Sequence, residues 1–389
     1  MKADRLLKAL EEMGIDTITG VPDSTLKQFC DGLQNYQGNL KHYVPVNEGA
    51  AVGLAIGSYL ADGKPACVYM QNSGIGNTVN PIASLANRDV YGVPILFIVG
   101  WRGEPGVKDE PQHVFQGRIT CELFDVLTIP YSVIDKETTW EEMEEILEKA
   151  AEVLANGDQY AIIVKKGTFD KDVPFTWKNG NELNREEALA AILKDTQKDD
   201  LIVSTTGKIS RELYEQSNSI YGNHDNIFMT VGGMGHASMI ALGLAKKRTD
   251  RRVICVDGDG AALMHLGALA FIASQAPENY LHIIINNQAH ESVGAMPTGC
   301  QKTDFSQLAK DAGYTWTRQV KNLDQLHDAL READRKQGPV MIEVLVSLDS
   351  RADLGRPKES TKENKEKFME NIKRQMLQLD GRESYRWKH

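Results

Sequence analysis

The stretch "VDGDGAALMHLGALAFIASQAPENYLHIIINNQAHES", Val256 to Ser292, decides how the rest of the chain is read. One apolar run ends in Gly258-Asp259-Gly260, and the next ends in the pair Asn286-Asn287. Between them "ALMHLGALAFIASQ" reads as a helix, so the unit is strand, turn, helix, strand, as in a parallel sheet. In a doubly wound sheet the strand ends open into the crevice where ligands bind, and a glycine turn there lets backbone approach a phosphate. Amides at the start of the following helix can face an anion, which leaves Asp259 for a hard cation. Asn287 offers an uncharged amide oxygen and Ala289 a carbonyl, and oxygen-only ligands with few charges suit Mg²⁺ bridging to a diphosphate. Taken singly, the two features are equally served by a helix cap and a plain turn. Their pairing is what points to a metal.

The surrounding chain bounds the reading. Its 389 residues, 41% hydrophobic and 25% charged, suffice for two core-bearing domains. A formal net charge of -10 excludes bulk attraction to nucleic acid or to an anionic membrane, so an anionic ligand must be held by local cations and backbone donors. Cys30, Cys67, Cys121, Cys255 and Cys300 are scattered and odd in number, which argues against a disulfide framework and for a reducing cytoplasm. The opening "MKADRLLKALEEMGID" reads as an amphipathic helix instead of a signal peptide, and no apolar run is long enough to span a bilayer.

From Asp16 the runs "DTITGV", "YVPV", "ACVYMQ", "PILFIVG", "YSVI" and "YAIIVKK" alternate with helical stretches. After the polar patch "KDVPFTWKNGNELN" the pattern restarts with "LIVSTTG", "NIFMTVGG", "RRVICVDGDG", "LHIIINN" and "PVMIEVLV". The expected fold class is α/β, with two doubly wound, mainly parallel-sheet domains over residues 1–170 and 185–350, a linker at 171–184 and no middle domain. The charged tail, 351–389, contains a candidate amphipathic helix.

"GDG" at Gly258 followed by "NN" at Asn286 resembles the binding motif of thiamine diphosphate enzymes. The resemblance implies that Asp259, Asn287 and the Ala289 carbonyl hold Mg²⁺, and that the turn at Gly258, with the amides of Gly260 and Ala261, touches the diphosphate. A pyrimidine-binding first domain and a diphosphate-binding second domain are implied too. Such a cofactor needs a carboxylate at its aminopyrimidine ring. In "VPVNEGAAVGLAIGSYLADGKP" Glu48 resembles that activating glutamate, although alone it reads equally as a first-turn glutamate favoured by the helix dipole. In "MTVGGMGHASMIALGLA" Met234 matches the apolar wedge that bends the cofactor, and the Gly232 carbonyl would accept from its amino group. Thr205, Thr206 and Gly207 form a turn able to donate to the diphosphate, or a simple helix start.

Within these enzymes the chain resembles the phosphonopyruvate decarboxylases, with sulfopyruvate decarboxylases as relatives. The shared segments are "GVPDS" at Gly20, "NEGAAVGLAIGSYLADGKP" at Asn47, "QNSGIGNTVNP" at Gln71, "GWRGEPGVKDEPQHVFQGRIT" at Gly100, "NNQAHESVGAMPT" at Asn286 and "DLGRPKESTKENKEKFM" at Asp353. The implied substrate is a small keto acid carrying a phosphonate, whose charge Arg102 and Lys108 can meet from a glycine-rich, mobile loop. Asp23, lining the substrate, and His113 resemble the acid-base residues of thiamine-dependent decarboxylases, and His290 could orient the keto group. A homo-oligomer with its active site at the subunit interface is implied as well. Ala261 and Ala262 stand where some relatives carry a hydroxyl, and Ala289 where glycine is frequent. The Ala261 and Ala289 positions contribute backbone atoms, so binding should survive. Sulfopyruvate decarboxylation, a noncatalytic thiamine diphosphate-binding subunit and a dinucleotide-binding oxidoreductase are the other readings. The last lacks a G-x-G-x-x-G turn.

Overall fold

Runs such as Ala66–Gln71 and Ile95–Gly100 are apolar on both sides and only six residues long, which suits strands covered by helices on both faces. The computed structural model describes residues 1–348 and 350–386 and divides the chain into two units. Unit 1 comprises Met1–Trp177 with His290–Gly299, and unit 2 comprises Lys178–Ala289 with Cys300–His389.

The sheet of unit 1 is built from β1 (Thr17–Gly20), β2 (Lys41–Tyr43), β3 (Ala66–Gln71), β4 (Ile95–Gly100), β5 (Tyr131–Ile134) and β6 (Tyr160–Val164), in the order β2-β1-β3-β4-β6-β5. Every ladder in it is parallel. One face packs the helices Ala3–Glu12, Lys27–Asn35 and Trp140–Ala155; the other packs Glu48–Asp62 and the helical segments after β3 and β4. The helix Glu48–Asp62 starts where it does because Asn47 caps it, its Oδ1 accepting from the Ala50 amide at 2.8 Å.

Unit 2 repeats the plan with β7 (Leu201–Ser204), β8 (Ile227–Met229), β9 (Val253–Gly258) and β10 (Tyr280–Asn286). In chain order the two-residue strands β11 (Ala289–His290) and β12 (Met296–Pro297) come next, β12 lying in the segment that belongs to unit 1, and β13 (Trp316–Val320) and β14 (Val340–Leu345) complete the sheet of unit 2. The large sheet runs β13-β14-β10-β9-β7-β8, again wholly parallel. Three features depart from the sequence reading. The strand expected at "YVPV" lies earlier in the chain, at Lys41–Tyr43, and residues 44–46 lead from it to the next helix. The expected helix after Asp259 is broken into Asp259–Met264 and Ala268–Gln275 by a turn at His265–Gly267. Strand β13, "WTRQV", was not expected, because an edge strand with one partner stays half-exposed and carries no apolar run.

The tail forms the helix Thr361–Arg386. Phe368 buries itself in the unit 2 core, and Asn364 treats edge strand β8 as a partner: its Oδ1 accepts from the Met229 amide at 3.1 Å and its Nδ2 donates to the Ile227 carbonyl at 3.0 Å. The open edge is thereby covered. Among the described residues no helix is long and apolar enough to cross a membrane.

A buried ion pair ties the first two helices of unit 2 together. Arg185 Nε and Nη2 donate to Glu212 Oε2 and Oε1 at 2.7 and 2.6 Å, with both side chains almost wholly enclosed. Removing Glu212 takes two charge-assisted hydrogen bonds from a buried guanidinium. Glu212→Ala is therefore expected to lower unfolding free energy by about 3–5 kcal/mol in urea titration, and a loss below ~1 kcal/mol would show that water reaches Arg185.

Candidate active site

The parallel register of β9 and β10 pairs Gly258 with Ile285, so Asp259 and Asn286 come level at the carboxyl edge of the sheet, with Asn287 one residue beyond. Asp259 opens the helix Asp259–Met264 and is 3% exposed; Asn287 is 7% exposed. The two asparagines turn to different tasks. Asn286 anchors the strand end, its Nδ2 donating to Glu343 Oε1 at 2.7 Å and its Oδ1 accepting from the Gln288 amide at 3.0 Å. Asn287 shapes the turn, its Oδ1 accepting from the Ala289 amide at 3.1 Å and its carbonyl from Asn179 Nδ2 at 2.8 Å. Cys300 Sγ donates to Asp259 Oδ2 at 3.3 Å.

The neighbouring loops end at the same edge. The Thr205 amide donates to the Val256 carbonyl at 2.8 Å, and Thr206 Oγ1 donates to the Val231 carbonyl at 3.0 Å, which joins the turn at 205–207 to the loop holding Gly232 and Met234. That loop is pressed onto the Asp259 helix at Gly235, whose φ is +90°; a Cβ there would lie 2.6 Å from His265 Cδ2 and 3.1 Å from the Ala261 carbonyl. Unit 2 thus gathers Thr205, Thr206, Gly207, Gly232, Met234, Gly258, Asp259, Gly260, Ala261, Asn287 and Ala289 along one sheet edge. A deeply buried carboxylate at Asp259, an amide oxygen at Asn287 and a backbone carbonyl at Ala289 are all-oxygen donors of the kind a hard divalent cation takes.

Unit 1 places Asp23, Glu48, Arg102, Lys108 and His113 after the strands of its own parallel sheet, and it also includes His290. Glu48, 5% exposed, is the first residue of its helix, and its Oε2 accepts from Asn77 Nδ2 at 2.6 Å. It lies so close to the turn after β3 that a Cβ on Gly74 would come within 2.5 Å of Oε1. Glycine at 74 is what leaves room for the carboxylate.

Asp23 is completely enclosed. Its Oδ1 accepts from Gln71 Nε2 at 2.6 Å and its Oδ2 from the amides of Thr25 and Leu26 at 2.9 and 3.3 Å. Burial pushes its carboxyl up in spite of these bonds. His113 sits half-buried in the first turn of the helix Pro111–Val126. His290 is half-buried, and desolvation lowers its imidazole to about 4, so it is neutral at pH 7.

The segment carrying Arg102 is more firmly tied than its glycines imply. Arg102 pairs with Asp109, and Trp101 Nε1 donates to the Gly117 carbonyl at 2.9 Å, whereas Lys108 is exposed. Asn77, Asp109, Asn179 and Cys300 were not singled out from sequence. Asn77 and Asp109 stood inside shared segments as polar residues with no visible partner. Asn179 and Cys300 carried no signal, because their bonds to Asn287 and Asp259 span 108 and 41 residues.

The comparisons agree with this architecture. Residues 2–124 match the N-terminal TPP binding domain of thiamine pyrophosphate enzymes, and residues 210–344 match the C-terminal TPP binding domain. The chain is similar to phosphonopyruvate decarboxylase of Streptomyces hygroscopicus, at 34% identity over 95% of this chain and 94% of that one. The same enzyme of Streptomyces viridochromogenes matches at 33% identity over 93% of each chain. Sulfopyruvate decarboxylase of Methanosarcina acetivorans is 25% identical over 85% of this chain and 87% of its own. With two thiamine diphosphate-binding domains and no third between them, this chain belongs to the thiamine pyrophosphate enzymes and, among them, to the family of phosphonopyruvate decarboxylase.

Proposed function

We propose that this protein decarboxylates 3-phosphonopyruvate to phosphonoacetaldehyde and carbon dioxide, using thiamine diphosphate and Mg²⁺, as a step in phosphonate biosynthesis of the 2-aminoethylphosphonate type. The coarser reaction, thiamine diphosphate-dependent decarboxylation of a 2-keto acid, comes with the family. The observation that carries the finer reading is the near-complete coverage by phosphonopyruvate decarboxylases at 34% and 33% identity. A fixed guanidinium at Arg102, in the same unit as Glu48, is consistent with it.

Asp259, Asn287 and the Ala289 carbonyl would hold Mg²⁺, and the amides of Gly260 and Ala261 with the turn at 205–207 would meet the diphosphate. When bound, thiamine diphosphate supplies a nucleophilic carbon and a sink for the electrons left by departing carbon dioxide. With Oε2 of Glu48 engaged by Asn77, Oε1 is the atom left to exchange a proton with the aminopyrimidine. Met234 would shape the cofactor from its side, and the Gly232 carbonyl would accept from the amino group. Asp23, its carboxyl pushed up by enclosure, holds a proton at a pH where surface aspartates have lost theirs, and would return it to the carbon that carbon dioxide leaves. His113 is the second acid-base group and neutral His290 a donor or acceptor to the keto oxygen. Arg102 and Lys108 would hold the phosphonate.

We further propose a homo-oligomer as the working form. Val79, Leu85, Val90 and Tyr91, in and after the helical segments that follow β3, are exposed apolar residues of the kind subunit contacts cover. A fully active monomer in light scattering would contradict this.

Three measurements test the assignment. Protein stripped of metal and cofactor should release aldehyde from phosphonopyruvate only when both thiamine diphosphate and Mg²⁺ are restored; faster consumption of sulfopyruvate would move the substrate, and no reaction despite cofactor binding would favour a noncatalytic subunit. Glu48→Gln should cut turnover by about a hundredfold or more while cofactor binding, followed by tryptophan fluorescence, persists. Gly74→Ala should push Glu48 from its seat and lower kcat at least about tenfold with the fold intact by circular dichroism.

A further inference from the structure

Arg102 follows β4, and its guanidinium meets two neighbours within unit 1. Nε and Nη2 donate to Oδ2 and Oδ1 of Asp109 at 2.8 and 2.5 Å, and Nη1 donates to Ser24 Oγ at 2.9 Å. Asp109 is itself held, because its Oδ2 also accepts from the Gly103 amide and its Oδ1 from the Glu110 amide, each at 2.8 Å. Burial alone would raise this carboxyl, but Arg102 and the two amides outweigh it and hold it well below the ordinary carboxylate range. The main chain of Arg102 is fixed as well: its amide donates to Asn72 Oδ1 at 3.1 Å, and its carbonyl accepts from Asn72 Nδ2 at 2.8 Å. The side chain cannot swing freely.

One edge of the guanidinium is therefore spent on Asp109, while Nη1 and Nη2 each carry a second N–H that these bonds do not use. Ser24 is exposed, and its hydroxyl accepts from Nη1, so its own proton is available to donate. These are three donors from two side chains, after the ends of β1 and β4. A carboxylate offers two coplanar oxygens, which a guanidinium fork satisfies alone. A tetrahedral oxyanion offers three, and gives the third donor something to bind.

We propose that Ser24 is a specificity-determining residue, completing with Nη1 and Nη2 of Arg102 a three-donor corner for the tetrahedral oxyanion of the substrate, and that Asp109 is the positioning residue that aims this corner. The inference rests on the substrate reading above. Asp109 remains bonded to Arg102 while substrate is held: displacing it would break four hydrogen bonds and leave a partly enclosed carboxylate facing a second anion. It is a frame, not an internal competitor.

The test uses the full-length protein loaded with thiamine diphosphate and Mg²⁺, comparing phosphonopyruvate with pyruvate, which lacks the tetrahedral group. KM is read, or Ki as a competitor where turnover is absent. Ser24→Ala should raise KM for phosphonopyruvate about tenfold more than for pyruvate, and Ser24→Thr, which keeps the hydroxyl, should recover most of that difference. Asp109→Asn, with its melting temperature checked, should also raise KM for phosphonopyruvate. An equal change for both substrates in Ser24→Ala would overturn the corner. A fall in KM in Asp109→Asn would make Asp109 a competitor and overturn its positioning role. Should the wild type prefer sulfopyruvate, the substrate reading fails, and the Ser24 comparison repeated with sulfopyruvate against pyruvate still decides the corner; should it bind neither anionic acid better than pyruvate, both fall.

Discussion

Parallel strands cannot be joined by tight hairpins. Each must return through a crossover to the edge where its neighbour began, so the turns that follow the strands all collect at the opposite, carboxyl edge. In unit 1 that constraint brings Asp23, Glu48, Gly74 and Arg102 after the ends of β1, β2, β3 and β4. In unit 2 it brings the turns at 205–207, 232–235, 258–261 and 287–289 after β7, β8, β9 and β10. Nothing else in the chain needs to specify that residues so far apart in sequence share an edge. Four turn segments of unit 2 become neighbours because the sheet order β10-β9-β7-β8 makes their strands neighbours.

Polar groups at these edges are held by networks in which each carboxylate has several donors. Glu343 Oε1 takes Asn286 Nδ2 at 2.7 Å, and its Oε2 takes the Ser306 amide and Gln319 Nε2 at 3.2 and 3.0 Å. Asp109 is satisfied in the same way, by a guanidinium and two amides. Burial of a carboxylate is tolerable only when it is so compensated, and a compensated carboxylate in turn fixes what it bonds. This is how an exposed-looking, glycine-rich segment comes to present Arg102 in one orientation, and how the turn after β10 acquires a defined shape for Asn287 and Ala289.

The local chemistry was open to inspection in the chain itself. Gly258-Asp259-Gly260 and Asn286-Asn287 declare their turns through residue type, and their apolar runs declare strands, because both signals act within a few residues. The break in the helix after Asp259 leaves no local mark: the run "ALMHLGALAFIASQ" is largely apolar on both sides of the turn at His265–Gly267. Strand β13 is illegible for the opposite reason, since an edge position asks for no continuous apolar run. The tail helix was visible as a helix, yet the bonds of Asn364 to β8 depend on which edge the sheet leaves open.

By itself the sequence determined the two α/β halves, the strand ends that carry Asp259, Asn287 and Glu48, and the absence of bulk positive charge, all of which depend on composition or on spacing of a few residues. Only the tertiary structure decided that Asn77 bonds Glu48, that Asn179 holds the carbonyl of Asn287, that Cys300 reaches Asp259 and that Arg102 bonds both Asp109 and Ser24. Those pairings span from 7 to 108 residues, and a hydrogen bond a few ångströms long across such separations is chosen by how the strands pack and where their loops return, which no local pattern encodes.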